Sequence, residues 1–311
     1  MKKYPFIVTV IAVLLLALAW TACNRPDQQE RGTRIALVLK TLNNPFFIDM
    51  QAGAQEAADR LGVELVVQAA ERELDVEKQM QIVENLIQTD VDAICLTPSG
   101  SKEIVPAVVK ANAAGIPVLI LDTRLDQPTA SSQGAQTAAF IGSDNYDGGR
   151  IAGRHLVELT GGKAKVAVLE GIPGHETGDS RLRGFREAIA GSQVEIVASQ
   201  PANWERDQGF NVFQNMLQAH PEIDALFACN DMMALGAIEA IEAAGRTGQI
   251  TVIGFDAVQD ARQAMQEGKM QASVAQFPSQ MGKLAVERAV ALLRGEEIER
   301  DNSVPIQLVT P

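Results

Sequence analysis

Ten short apolar runs recur along the chain from Arg34 onward, separated by stretches with helical spacing. They are IALVL (35–39), ELVV (64–67), AICL (93–96), PVLIL (117–121), AFIG (139–142), KVAVL (165–169), EIVAS (195–199), ALFAC (225–229), TVIGF (251–255) and ASVAQ (272–276). Each is too short for a helix, rich in Val, Ile or Ala, and continuous rather than alternating. That is the pattern of strands buried on both faces of a parallel sheet. After the first run, Phe47, Met50, Ala54, Ala57 and Leu61 recur at steps of three and four, the buried stripe of one helix. Gly62 and Gly115 stand where left-handed helix C-caps belong. The repeated β-α order predicts an α/β protein with two doubly wound parallel-sheet lobes. A length of 311 residues, above the comfortable limit for one core, agrees with two. The rhythm lapses in DTRLDQPTASSQGAQTA (122–138), and a last helix near 278–293 and a last strand near 305–309 follow the second set of runs. The chain is therefore expected to cross between lobes more than once.

Residues 1–22 stand outside this rhythm. Lys2 and Lys3 precede an apolar stretch, 6–19, broken only by Thr9, and small residues then lead to Cys23. This reads as a secretory signal, the apolar stretch being shorter than the roughly 20 residues of a membrane span. Cys23 resembles the lipid-modified cysteine of bacterial lipoproteins, although Trp20 stands where that pattern has Leu. The resemblance implies lipid attachment at Cys23, with polar residues 23–32 as a flexible tether. Removing residues 1–22 takes away two lysines and no acid, so the net charge moves from −12 to −14. An acidic surface argues against nucleic acid as a partner and limits membrane contact to the lipid anchor. Cys95 and Cys229 end two apolar runs and read as small buried hydrophobes. With His155, His175 and His220 scattered, no metal spacing is present, and no cofactor is implied.

Ligands of open parallel sheets bind beyond the carboxyl ends of the strands. The residues found there are TLNNPFF after 39, DTR after 121, EGIPGHETGDSR after 169, QPANW after 199, ND after 229, Asp256 and Gln276. Asn44, Asp144, Asn230 and Asp256 also suit the role of helix N-caps, with Pro45 at a first helical position. No G-x-G-x-x-G follows a strand, TGGK (160–163) lacks the first glycine of a phosphate loop, and no G-x-S-x-G appears. GGRIAG (148–153) lies inside a helical pattern and reads as close packing. An enzyme is therefore not expected. Amides, carboxylates and arginine suit vicinal hydroxyls that donate and accept at once, and aromatic rings suit the C–H faces of a sugar. Phe46 and Phe47 can form one wall of such a cleft, although Phe47 also starts the buried stripe. Trp204, in a polar turn before a helix, is the natural opposing wall.

The motifs TLNNPFF, ILDTR, IGSDNYDGGRIAG, RLRGF (181–185), SQPANWERDQGFNVFQNML, NDMMALGA, VIGFDA and VAQFPSQMG resemble the periplasmic sugar-binding proteins of ABC importers. The likeness runs from about residue 34 to 309. It implies sugar contacts from Asn44, Phe46, Phe47 and Asp122 in one lobe, and from Arg181, Trp204, Asn230, Asp256 and Gln276 in the other. Arg124, His175 and Glu176 are further candidates. Ribose binders of that family follow the carboxylate directly with arginine and carry Phe in place of Trp204; here Thr123 intervenes before Arg124. The family fold implies an N-terminal lobe of 33–139 plus 277–305 and a C-terminal lobe of 140–276 plus 306–311. It also implies a hinge that closes on ligand, and a membrane permease as partner. A sensory receptor of the same fold, binding a sugar or furanosyl signal for chemotaxis or a histidine kinase, is the alternative.

Overall fold

The computed structural model describes residues 32–311, so the signal, Cys23 and nearly all of the tether lie outside the described residues. The chain opens with β1 (Arg34–Thr41), α1 (Pro45–Leu61), β2 (Glu64–Ala70), α2 (Val76–Ile87), β3 (Ala93–Leu96), α3 (Val105–Ala113), β4 (Val118–Leu121), α4 (Gln127–Gln133) and β5 (Ala139–Gly142). It continues with α5 (Asn145–Leu159), β6 (Lys163–Glu170), α6 (Glu176–Ile189), β7 (Gln193–Pro201), α7 (Arg206–Ala219), β8 (Ala225–Ala228) and α8 (Asp231–Ala243). Then follow β9 (Thr251–Asp256), α9 (Gln259–Gln266), β10 (Ala272–Ala275), α10 (Pro278–Leu293), β11 (Asp301–Ser303) and β12 (Gln307–Val309).

These strands form two six-stranded sheets, ordered β11-β5-β4-β3-β1-β2 and β12-β10-β9-β8-β6-β7. Every pairing is parallel except β10 with β12. All ten apolar runs fall on strands, and β3, β4, β5, β8 and β10 are buried at every position, as strands covered by helices on both faces must be. The first sheet carries an apolar cluster on each face, one containing Leu37, Cys95 and Leu119, the other Ala36, Ile94 and Ile120. Alternate residues of one strand thus face opposite layers.

The chain crosses between lobes three times: at 143–144, at 276–277 and at 304–306. The first crossing corrects the boundary read from sequence. β5 pairs with β4 and belongs whole to the first sheet, so residues 140–142 lie in the first lobe. The short polar strand β11 extends the same sheet beyond β5, a place that its sequence, DNS, does not announce.

Close helix packing sets the lobes' interiors. Gly149 and Gly184 let α5 and α6 touch backbone to backbone: a methyl on either would enter the main chain of Arg181 or Tyr146. GGRIAG therefore serves packing, as its helical context suggested. Gly62 caps α1 at φ 69, a left-handed conformation that glycine adopts without strain.

Candidate functional site

A cavity lies between the carboxyl ends of the two sheets. From the first lobe it is lined by Lys40, Asn44, Phe46, Phe47, Glu73 and Asp122. Thr177, Arg181, Trp204, Asn230, Asp256 and Gln276 line it from the second lobe and the second crossing. The fold thus brings together all nine principal candidates.

Each is held by local chemistry that follows from its place at a strand end. Asn44 caps α1, its Oδ1 accepting from Phe46 N at 3.0 Å, while its Nδ2 donates to Glu73 Oε1 at 3.0 Å. Capping and lining the site are therefore one arrangement. Phe46 and Phe47 meet edge to face, centroids 5.2 Å apart, and both belong to the first-lobe core as well as the cavity wall. Asp122 Oδ2 accepts from Lys40 Nζ at 3.2 Å and from Thr123 Oγ1 at 2.9 Å. Lys40 Nζ also lies 3.8 Å from Glu73 Oε2, so one buried ammonium bridges two buried carboxyls. Burial pushes the Glu73 carboxyl up to about 7, against the pull of Lys40 and the Asn44 hydrogen bond.

In the second lobe, Arg181 on α6 donates through Nε to Asn145 Oδ1 at 2.9 Å and through Nη1 to the Cys229 carbonyl at 2.7 Å. Its guanidinium lies 3.8 Å from the Phe255 ring centroid, and Nη1 is 3.8 Å from Asp256 Oδ1. Burial holds the Asp256 carboxyl well above the usual range, with the Arg181 cation opposing. Asp256 is not a helix cap, since α9 starts at Gln259 behind Val258; instead its Oδ1 accepts from Gln276 Nε2 at 2.6 Å. Asn230 does cap α8, accepting from Met233 N at 2.9 Å and donating to the Trp204 carbonyl at 3.1 Å. The indole packs directly against Gly171, where a side chain would displace it.

Backbone strain gathers here. Six non-glycine residues among those described have positive φ: Asp122, Asn203, Trp204, Asp256, Ala257 and Phe277. Three line the cavity, two adjoin it, and Phe277 sits at the second crossing. Such conformations cost on the order of 1–3 kcal/mol each and persist where surrounding structure imposes them. Two buried polar atoms on lining residues, Gln276 Oε1 and Thr177 Oγ1, have no hydrogen-bond partner among the described residues.

Three further candidates do not line the cavity. Arg124 Nη2 reaches both carboxylate oxygens of Asp301, at 3.0 and 2.9 Å, and its guanidinium stacks 3.5 Å from the Phe140 ring centroid. Asp301 and Phe140 thus hold Arg124 away from the cavity, and Thr123 supplies a hydroxyl to Asp122. His175 is buried behind Trp204, whose Nε1 donates to His175 Nδ1 at 3.5 Å. Glu176 starts α6, and its carboxylate accepts from Ser180 Oγ at 2.8 Å.

Lys40, Glu73 and Thr177 were not singled out from sequence. A lysine that prolongs the fully apolar run IALVL, directly before TLNNPFF, was the available signal for the first. Glu73 follows the end of β2, where the same strand-end rule applies; ELVV simply ends too early to point at it. Thr177 was hidden in the twelve-residue stretch after β6.

A family model described as periplasmic binding protein domain matches residues 35–297. The chain belongs to that family: it is a solute-binding protein of ABC importers, acts outside the cytoplasm and is not an enzyme. It is 38% identical over 299 residues to the ribose import binding protein RbsB of Escherichia coli (strain K12), covering 96% of this chain and 97% of that one. It is 34% identical over 314 residues to the D-allose-binding periplasmic protein of the same strain, covering 99% and 98%. Among solved structures, an ABC transporter periplasmic solute binding protein from Actinobacillus succinogenes 130z with bound D-allose matches with a TM-score of 0.83 and 41% identity, over 89% of this chain and 97% of that one.

Proposed function

We propose that the cavity holds one monosaccharide, a pentose, hexose or related polyol, which is trapped by hinge closure and passed to the membrane permease of an ABC importer. The observation that carries this reading is the pair of buried polar atoms without a partner among the described residues, Gln276 Oε1 and Thr177 Oγ1, on residues of a wall that also brings carboxyls, a guanidinium, an ammonium and aromatic rings together. A buried acceptor without a partner costs roughly 1–3 kcal/mol, and a sugar hydroxyl can satisfy it while accepting from Lys40 or Arg181. Asn44, Asp122, Arg181, Asn230, Asp256 and Gln276 supply hydroxyl contacts, and Phe46, Phe47 and Trp204 cover the C–H faces. That relatives are named for ribose and D-allose supports a single aldose as the ligand class. Ligand bound to both lobes favours the closed state by its differential affinity.

Calorimetric titration with D-ribose, D-allose and other pentoses and hexoses tests the reading, with tryptophan emission followed in parallel. Trp204 is the only tryptophan after residue 22, so its emission reports the cavity wall. Binding of one or a few sugars near micromolar affinity, about −8 kcal/mol, with an emission change is expected. If no sugar binds, the ligand class is wrong; if one binds with emission unmoved, Trp204 is not the wall. Lipid attachment at Cys23 completes the proposal, and a Cys23→Ser variant released from the membrane fraction would support it.

A further inference from the structure

We propose that His175 is a positioning residue that ties the Trp204 wall to the opposite lobe and thereby makes sugar retention depend on its neutral ring. This inference rests on the closed, sugar-binding reading of the cleft.

His175 lies in the loop after β6, immediately before α6, and is 3% exposed. One ring nitrogen, Nδ1, accepts from Trp204 Nε1. The ring also lies against the main chain of Ser99 in the first lobe, a contact that favours the protonated ring. With Nδ1 accepting from the indole, Nε2 carries the proton of the neutral ring. Ser99 is itself fixed: Gln79, fully buried on α2, accepts from Ser99 N at 2.8 Å and donates to the Thr97 and Leu39 carbonyls at 2.9 and 3.2 Å. A rigid point in one lobe therefore reaches through a neutral imidazole to the aromatic wall in the other. The next residue adds a second bridge, Glu176 N donating to Ser101 Oγ at 3.3 Å.

An imidazolium cannot take this place, because its Nδ1–H would meet the indole N–H. The charged groups that bear on the ring are Lys40 at the end of β1, which opposes protonation, and Asp122 after β4, which favours it. Arg181 on α6 lies beyond the indole, 5.6 Å from its ring. Burial, reinforced by Lys40, drives the His175 pKa down to about 3. Opening the cleft removes the Ser99 contact and exposes the ring, returning it toward its ordinary 6.5. The sign follows. The open state binds a proton below about pH 6.5 that the closed state refuses until about 3, so closure is fully supported above 6.5 and weakens by about tenfold per pH unit below it. Glu73 works the other way, since its closed-state carboxyl takes up a proton near 7, and burial raises the Asp256 carboxyl in the same direction. The His175 contribution must therefore be read as a difference between proteins.

D-ribose and D-allose affinities of the purified protein and of His175→Gln and His175→Ala variants, measured from pH 8 to pH 5, test the proposal. Gln can accept from the indole and fill the same place beside Ser99 but does not titrate. At pH 8 His175→Gln is expected within about fivefold of the wild type, and His175→Ala more than tenfold weaker. Between pH 7 and 5 the ratio of wild-type to His175→Gln dissociation constants should rise about 30-fold, which is tenfold per unit over the 1.5 units below 6.5. A ratio that stays flat, or a His175→Ala variant as tight as His175→Gln at pH 8, overturns the inference while leaving the sugar-binding reading intact. A wild type that binds neither sugar overturns both.

Discussion

Asp122 shows how one residue serves conformation and recognition together. It sits at φ 59, just past the end of β4, and its carboxylate meets Lys40 and Thr123. Asparagine tolerates left-handed backbone nearly as well as aspartate, whereas alanine does not. Asp122→Asn therefore isolates the charge. It should weaken sugar binding about tenfold to a hundredfold, the worth of one charge-assisted hydrogen bond at roughly 1.5–3 kcal/mol, with little loss of thermal stability. Asp122→Ala should lose the same affinity and melt measurably lower. Equal melting temperatures for the two variants would remove the backbone argument, and unchanged calorimetric affinity in both would remove Asp122 from the site. At the same scale, the strand-end rule found nine cavity residues, because a parallel sheet delivers every loop on one edge. It failed for Arg124, whose direction was decided by Asp301, a partner 177 residues along the chain.

At the scale of elements, the helices that carry site residues are set by packing rather than by the site. Arg181 is aimed into the cavity because α6 lies against α5, and that contact needs glycine on both sides. Gly184→Ala would press a methyl into the Tyr146 carbonyl across that contact. It should cost about 1–3 kcal/mol in urea unfolding, the usual price of overpacking. Sugar affinity should fall with it, since α6 must shift away from α5 and carry Arg181 along. Unaltered stability would mean that the two helices have room to slide. The apolar runs made the strands legible, and the caps made the helix starts legible. β11 was not legible, because three polar residues become a strand only by pairing beside β5.

For the whole molecule, closure is the property at stake. Across the mouth of the cleft, Arg72 Nε lies 3.3 Å from Glu205 Oε1, a partly exposed pair that contributes at most about 1 kcal/mol. Arg72→Ala should therefore change sugar affinity less than about fivefold, and chiefly at low salt. Small-angle X-ray scattering should show a smaller radius of gyration with bound sugar than without. An unchanged radius together with tight binding would mean that the lobes do not need to move. Sequence alone established that this chain folds as two doubly wound α/β lobes with amides, acids, arginine and aromatics at the strand ends, because hydrophobic period and capping chemistry are local properties of the chain. Only tertiary structure decided that Lys40 and Glu73 share the cavity with Asp122, that Arg124 turns away from it, and that His175 stands behind Trp204. Those outcomes depend on which distant groups compete for the same buried donor or acceptor, and no local pattern records that competition.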